Sequence, residues 1–124
     1  MEKPSILVVD DEQTIRSLVR MSLRDKFILL EACDGEEAVD IARKHKPDLI
    51  LMDIIMPNMD GYQACSMIKR DKSTRSIPVV MLTSLDYELN KKLAEEVGAD
   101  GYITKPFTQK ELLDTIGKFL EIPE

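Results

Sequence analysis

Five polar residues stand at or just beyond the ends of short apolar runs: Asp10, Asp11, Asp53, Thr83 and Lys105. Three carboxylates brought together repel one another and raise at least one pKa unless a cation lies among them. Carboxylate oxygens suit a hard divalent cation, and a set that leaves room for water suits Mg²⁺. A lysine and a hydroxyl beside such a cation and a free carboxylate indicate a phosphoryl-transfer site, where positioning and charge neutralisation carry the catalysis.

Each of these residues also has an ordinary structural interpretation. Asp10, Asp11 and Thr83 are residue types that cap helices. Asp53 could be an ordinary loop carboxylate, and a single lysine such as Lys105 is usually a solvated surface charge. These interpretations stay open for each residue alone, whereas the shared position at strand ends favours one common site.

The apolar runs themselves predict a parallel sheet. They cover residues 6–9, 27–30, 49–52, 79–82 and 102–103. Several are apolar at every position, which is typical of strands covered by helices on both faces. In an open parallel sheet, ligands bind outside the carboxyl ends of the strands, where the five polar residues gather.

Segments with helical periodicity separate the strands. The last helix is predicted over about 109–120, with Thr108 and Glu111 as a capping box, and Gly98 is placed to end the helix before it. Five strand–helix units in alternation predict a doubly wound α/β fold, a five-stranded parallel sheet with five helices. The pattern indicates a single domain over 1–124 and leaves the strand order open.

Composition excludes several classes of function. The chain has 124 residues and a net charge of −6, which argues against direct binding to nucleic acid or to an anionic membrane surface. Its apolar runs are far shorter than the about 20 residues of a membrane span. Cys33 and Cys65 have no metal-ligand spacing and are predicted to be buried free thiols, typical of a reducing compartment. We therefore expect a cytoplasmic protein.

Four motifs make the sequence resemble the response-regulator receiver domains of two-component signalling, the CheY-like family. They are ILVVDDE at 6–12, PDLILMDIIMPNMDG at 47–61, LTS at 82–84 and GADGYITKPF at 98–107. The resemblance covers essentially all of the chain and implies the flavodoxin-like strand order 2-1-3-4-5. It implies a phosphorelay component that catalyses its own phosphoryl transfer and slow dephosphorylation, and not an enzyme with an external substrate.

The same resemblance implies roles for the site residues. Asp53 would be the phosphoacceptor, taking its group from a phosphohistidine of a sensor histidine kinase or phosphotransfer protein, or from a small acyl phosphate. Mg²⁺ would be held by Asp11, Asp53 and the backbone carbonyl of Ile55, with Asp10 acting mainly through water. Lys105 would pair with a phosphoryl oxygen, and its peptide bond to Pro106 would be cis.

The resemblance also implies a switch and an output surface. The Thr83 hydroxyl would move onto the phosphoryl group, and Tyr102 would change rotamer with it. The output surface would be the fourth helix, fifth strand and fifth helix, where Lys91 and Lys92 are candidate contacts for an unknown partner. Ile55 and Leu85 would flank the path of the hydrolytic water, and apolar side chains there predict slow dephosphorylation.

Two other functions remain as alternatives. A receiver-like module could bind partners without phosphorylation, although all the expected functional positions are filled. An aspartate-nucleophile phosphatase would need a second Asp two residues beyond the nucleophile, where this sequence has Ile55. The sequence is compatible with a stand-alone protein and with part of a longer regulator.

Overall fold

A computed structural model describes residues 3–84 and 88–123. Within these ranges, strands and helices alternate along the chain. The strands are β1 (Ser5–Val9), β2 (Ile28–Ala32), β3 (Leu49–Met52), β4 (Val79–Thr83) and β5 (Gly101–Thr104). The helices are α1 (Gln13–Leu23), α2 (Gly35–His45), α3 (Gly61–Arg70), α4 (Glu88–Glu96) and α5 (Gln109–Ile116).

The strands form one parallel sheet in the order β2-β1-β3-β4-β5. The doubly wound fold predicted from the alternation is confirmed, and so is the strand order implied by the family resemblance. Val9 of β1 is in register with Met52 of β3. The residues that follow them, Asp10 and Asp53, therefore leave the sheet side by side at its carboxyl edge.

Two apolar cores lie on opposite faces of the sheet, because successive strand residues point to opposite sides. Leu7 and Val9 belong to the core under α2 and α3, and Ile6 and Val8 belong to the core under α1 and α5. Every residue of β3 and β4 is buried. This burial on both faces explains why the central strands appear as unbroken apolar runs.

Two predicted elements end more than one residue away from their predicted ends. The second strand was predicted over 27–30 but extends from Ile28 to Ala32 and contains Glu31. It lies at the edge of the sheet, where a polar side chain is tolerated and Ile28 is 52% exposed. Helix α5 ends at Ile116, and the predicted final turn continues as backbone hydrogen bonds from Phe119 and Leu120 to the Ile116 carbonyl.

Caps fix the helix ends as the sequence indicates. Thr108 and Glu111 form the predicted capping box at the start of α5. Gly98 follows α4 with a φ of 91°, a left-handed conformation that glycine adopts without steric cost. No helix within the described residues is long and apolar enough to cross a membrane.

The two cysteines are both free thiols, but only Cys65 is buried. The expectation of a buried Cys33 is wrong, because this residue lies just beyond the end of the edge strand β2. Its thiol donates a hydrogen bond of 3.2 Å to Oε2 of Glu37. That hydrogen bond, with a smaller effect of burial, raises the pKa of the Cys33 thiol above its usual value.

Alkylation of the folded protein is expected to modify Cys33 and to spare Cys65. Burial raises the pKa of the Cys65 thiol to about 11, so it carries little of the reactive thiolate near neutral pH. Replacing Glu37 with Gln should speed the reaction of Cys33, because the raised pKa falls back towards its ordinary value. Intact mass measured over a time course with iodoacetamide checks both statements, and equal rates at the two cysteines would contradict them.

Candidate phosphoryl-transfer site

The carboxyl edge of the sheet brings together the chain segments that carry the predicted site residues. The backbone N–H of Asp53 donates to the Val9 carbonyl at 2.9 Å, which places the residue after β3 beside the end of β1. The backbone N–H of Lys105 donates to the Thr83 carbonyl at 2.8 Å, which holds the residue after β5 beside the end of β4. The site is therefore positioned by hydrogen bonds that continue the ladders of the sheet.

Lys105 lies between two carboxylates. Its Nζ is 2.6 Å from Oδ2 of Asp10 and 3.5 Å from Oδ2 of Asp53. Asp10 is fully buried and Asp53 nearly so. The peptide bond between Lys105 and Pro106 is cis, as the resemblance implies. One compact positive charge thus faces two carboxylates in a largely water-excluded position, which strengthens their electrostatic interaction.

Opposing effects set the protonation of the site. Burial raises the pKa of Asp53 to about 6, and the neighbouring Asp10 carboxylate adds to the rise. The Lys105 ammonium and the hydrogen bond of 2.9 Å from the Ile54 N–H act in the other direction. Burial by itself lowers the pKa of Lys105, but its hydrogen bond to Asp10 and the charge of Asp53 raise it above the usual value.

An acidic cluster adjoins these groups. Asp10, Asp11 and Glu12 each place a carboxylate oxygen within 4.8 Å of the others, and the last two are exposed. Oxygen ligands in this arrangement suit Mg²⁺ or another hard cation. Sequence reasoning omitted Glu12, although its place directly after the two aspartates was the available signal.

Thr83 and Tyr102 lie on the same face of the sheet. Met81 is in register with Tyr102, and Thr83 is two residues beyond Met81 on the same strand. Thr83 is buried, and Tyr102 packs against the core that also contains Ala94 of α4. A displacement of the Thr83 side chain would therefore occur on the side of the sheet that α4 covers. Leu85, the second predicted flanking residue, lies outside the described residues.

Comparison with known proteins assigns the family. The family model described as the response regulator receiver domain matches residues 6–117. The chain belongs to this family. It is 44% identical over 108 residues to the alkaline phosphatase synthesis transcriptional regulatory protein PhoP of Bacillus subtilis (strain 168). That match covers 86% of this chain and 44% of PhoP, so the chain spans less than half the length of this relative.

Solved structures agree with the receiver fold. Chemotaxis protein CheY4 of Vibrio cholerae has a TM-score of 0.91 and 32% identity, covering 96% of this chain and 100% of that one. The receiver domain of sensor histidine kinase PA1611 from Pseudomonas aeruginosa PAO1 has a TM-score of 0.88 and 28% identity. That match covers 95% of this chain and 98% of the other.

In this receiver domain, the start of α3 packs closely against the backbone of Asp53 and Ile54. The Gly61 N–H donates to the Ile54 carbonyl at 2.7 Å. A Cβ on Gly61 would overlap the carbonyl oxygen of Asp53, so only glycine permits this approach. Asp60 caps the helix and forms a capping box with Gln63. The motif contains these residues, but the sequence does not reveal the close backbone contact.

The loop between Asp53 and α3 is also tied to the start of α2. Asn58 has a φ of 66°, and its side-chain amide donates to Oδ2 of Asp34 at 2.8 Å. The Gly35 N–H donates to the Met59 carbonyl at 3.0 Å. The receiver domain thus holds the segment after Asp53 from two helices, which favours a preorganised position for the carboxylate.

Proposed function

We propose that this receiver domain accepts a phosphoryl group on Asp53 and that phosphorylation alters the surface formed by α4, β5 and α5. The observation that best supports this proposal is the position of the buried Asp53 carboxylate. It lies 3.5 Å from the Lys105 ammonium, at the edge of the sheet that holds the acidic cluster. The proposed donor is a phosphohistidine on a sensor histidine kinase or phosphotransfer protein. The relay would operate in the cytoplasm, where an exposed thiol such as Cys33 stays reduced.

In the proposed transfer, an Asp53 carboxylate oxygen forms the new bond to phosphorus as the phosphorus–nitrogen bond of phosphohistidine breaks. The imidazole leaves with the electron pair of that bond, and a proton carried by its other ring nitrogen before the transfer makes the departing ring neutral. Lys105 offers a fixed positive charge to the phosphoryl oxygens, and Asp10 holds its ammonium in place at 2.6 Å. The Ile54 N–H orients the acceptor carboxylate by its hydrogen bond to Oδ1.

The residues fit Mg²⁺ by their donor chemistry. When bound, the ion neutralises phosphoryl charge during transfer. We propose Asp11, Asp53 and the Ile55 carbonyl as its ligands. Both Asp10 oxygens already accept hydrogen bonds, from Glu12 N–H and from Lys105, which favours a role for Asp10 through water. The related PA1611 receiver domain is described with a magnesium ion coordinated in its active site cleft.

The proposed switch runs from Thr83 to the output surface. The Thr83 hydroxyl would move onto the phosphoryl group, and Tyr102 would follow on the same face of the sheet. Lys91 on α4 is exposed and lines a small cavity with Tyr102, so its surroundings would change with the Tyr102 rotamer. PhoP, which is longer than this chain, is named as a transcriptional regulatory protein.

A phosphorylation-independent interaction module is the runner-up. It would share the fold but have no need for a partly buried lysine between two carboxylates. The phosphatase alternative is less well supported, because Ile55 offers no acid or base where that class needs an aspartate. Ile55 is 64% exposed beside the site, so an incoming water molecule would meet an apolar surface.

Incubation with acetyl phosphate and Mg²⁺, followed by intact-mass measurement, tests the proposal. One phosphoryl adduct is expected on the wild-type protein. None is expected with Asp53→Asn, or with the wild-type protein when metal is chelated. An unmodified mass in every sample would favour the phosphorylation-independent module. Steady turnover of a generic phosphate ester would favour the phosphatase.

Replacing Ile55 with Asn is expected to shorten the lifetime of the phosphorylated state. An amide at this exposed position can orient a water molecule by hydrogen bonding, whereas the native side chain cannot. The rate is measured by loss of the adduct mass after removal of acetyl phosphate. Ile55→Val serves as the control that keeps an apolar side chain. An Asn variant as slow as the wild type would count against the idea.

A further inference from the structure

Every polar group of Asp10 has a partner within the described structure. Its N–H donates to the Ala32 carbonyl at 3.1 Å, and its two carboxylate oxygens accept from Glu12 N–H and Lys105 Nζ. Its carbonyl oxygen accepts a hydrogen bond of 2.6 Å from Nη1 of Arg16. Asp10 is therefore fixed by β2, by Lys105 and by α1 together.

Arg16 reaches this carbonyl from the first half of α1, and its own side chain is held in turn. Nε of Arg16 lies 3.2 Å from Oε1 of Glu31 on β2, and the Arg16 side chain is only 17% exposed. The other Glu31 oxygen lies 2.7 Å from Nη1 of Arg20, whose side chain is 49% exposed. Glu31 thus orients the guanidinium that contacts Asp10, while Arg20 makes a parallel contact that does not extend to the site.

The hydrogen bond from Arg16 to the Asp10 carbonyl fixes more than the position of that oxygen atom. Because a peptide unit is planar, the direction of the Asp10 carbonyl also sets the direction of the Asp11 N–H and constrains where the next residues begin. Asp11 and Glu12 are the exposed members of the acidic cluster. A guanidinium that fixes this peptide plane therefore fixes the base from which their carboxylates extend.

We infer that Arg16 is a positioning residue for the divalent-cation site, acting through the Asp10–Asp11 peptide plane, and that Glu31 positions Arg16. The inference rests on the metal site of the proposed function. Partners that orient metal ligands typically change metal affinity by about 10–100-fold when removed. Arg16 also carries a positive charge, and loss of that charge alone would tighten binding of a cation. The positioning role and the simple charge effect thus predict changes of opposite sign.

Titration of the unphosphorylated full chain with Mg²⁺, followed by NMR chemical shifts or calorimetry, separates the positioning role of Arg16 from the effect of its charge. Arg16→Met is expected to weaken Mg²⁺ binding by about tenfold or more. Arg16→Lys should recover part of the loss, since it keeps the charge and a donor. Glu31→Gln should also weaken binding, but the loss of its negative charge acts in the same direction, so the sign of the change separates the two effects only at Arg16. Arg24→Met is the control and should bind Mg²⁺ as the wild type does, because it removes an exposed positive charge from the end of α1 and leaves Glu31 with both of its ion-pair partners.

Thermal unfolding without metal shows which variants are folded at the titration temperature. If Arg16→Met is not folded at that temperature, Arg16→Lys carries the test, because it keeps the positive charge and changes only the geometry of the donor. Mg²⁺ binding by the folded Arg16 variants that equals or exceeds wild-type binding overturns the inference, as does a wild-type protein that binds no Mg²⁺. The titration needs no phosphodonor. A wild-type protein that binds Mg²⁺ but accepts no phosphoryl group therefore overturns the proposed function and leaves this inference standing.

Discussion

Replacing Lys105 with Met is expected to slow phosphorylation of Asp53 by acetyl phosphate by about 10²-fold or more. Removal of one preorganised charge or donor aimed at developing charge typically costs about 10²–10³ in rate. Here the ammonium lies 2.6 Å from Asp10 and 3.5 Å from Asp53, and its side chain is 13% exposed. Solvent therefore screens the lysine little, and a water molecule is a poor substitute for its charge.

The rate is read from the growth of the adduct mass at saturating Mg²⁺. Lys110→Met is the matched control, because Lys110 is paired with Asp114 on the surface and its side chain is 85% exposed. Lys105→Arg is expected to restore little, since a planar fork does not replace a compact ammonium between two carboxylates. A Lys105→Met rate within a few-fold of the wild type would contradict the assigned role.

The same substitution leaves the fully buried Asp10 without its cation. Breaking a buried ion pair from one side typically costs about 3–5 kcal/mol. The labelling comparison is therefore made at a temperature where circular dichroism shows that both proteins are folded.

Replacing Gly61 with Ala is expected to lower the free energy of unfolding by about 3 kcal/mol, at the upper end of the usual cost of overpacking. The added Cβ would meet the backbone carbonyl of Asp53 and would come within 2.9 Å of the Ile54 Cα. Both neighbours are backbone atoms at the exit of β3, so they cannot move aside as a flexible side chain does. Relief requires a shift of α3 or of Asp53 itself, so weaker phosphorylation should accompany the loss of stability.

Gly117→Ala is the matched control for this prediction. Gly117 caps α5 in a right-handed conformation, and its Cβ would lie 3.2 Å from the Leu113 carbonyl and 3.4 Å from the Ile122 side chain. A change within about 1 kcal/mol is expected, since glycine-to-alanine changes in helices are ordinarily mild. Urea unfolding measures both variants. Equal stability of the two would mean that the approach of α3 to Asp53 is not tight.

The sequence predicts most of the fold because its local signals agree. The unbroken apolar runs of β3 and β4 follow from burial on both faces, and the Thr108 capping box marks the start of α5. The strand order does not follow from periodicity, since the pairing of β1 with β3 is a long-range choice, and it came from the family resemblance. The predicted bounds of the edge strand β2 were wrong because Glu31 interrupts its apolar pattern.

The meeting of the candidate site residues at one edge of the sheet was predictable because strand ends are visible in the sequence, whereas the contacts that support those residues were not. Asp10, Asp53 and Lys105 meet as expected. The contact of Arg16 with the Asp10 carbonyl and the approach of Gly61 to Asp53 depend on helix placement in three dimensions. Cys33 was misjudged for a related reason, because burial just beyond an edge strand depends on which helix covers that point.

Reduction of the phosphorylated protein with borohydride, followed by peptide mass mapping, tests the central claim most directly. Borohydride converts an aspartyl phosphate to the corresponding alcohol and so marks the acceptor residue covalently. We predict that the mark appears at Asp53 and at no other carboxylate, and that it requires Mg²⁺ during phosphorylation. A mark at Asp10, Asp11 or Glu12, or an adduct that leaves Asp53 unreduced, would contradict the assignment of Asp53 as the phosphoacceptor.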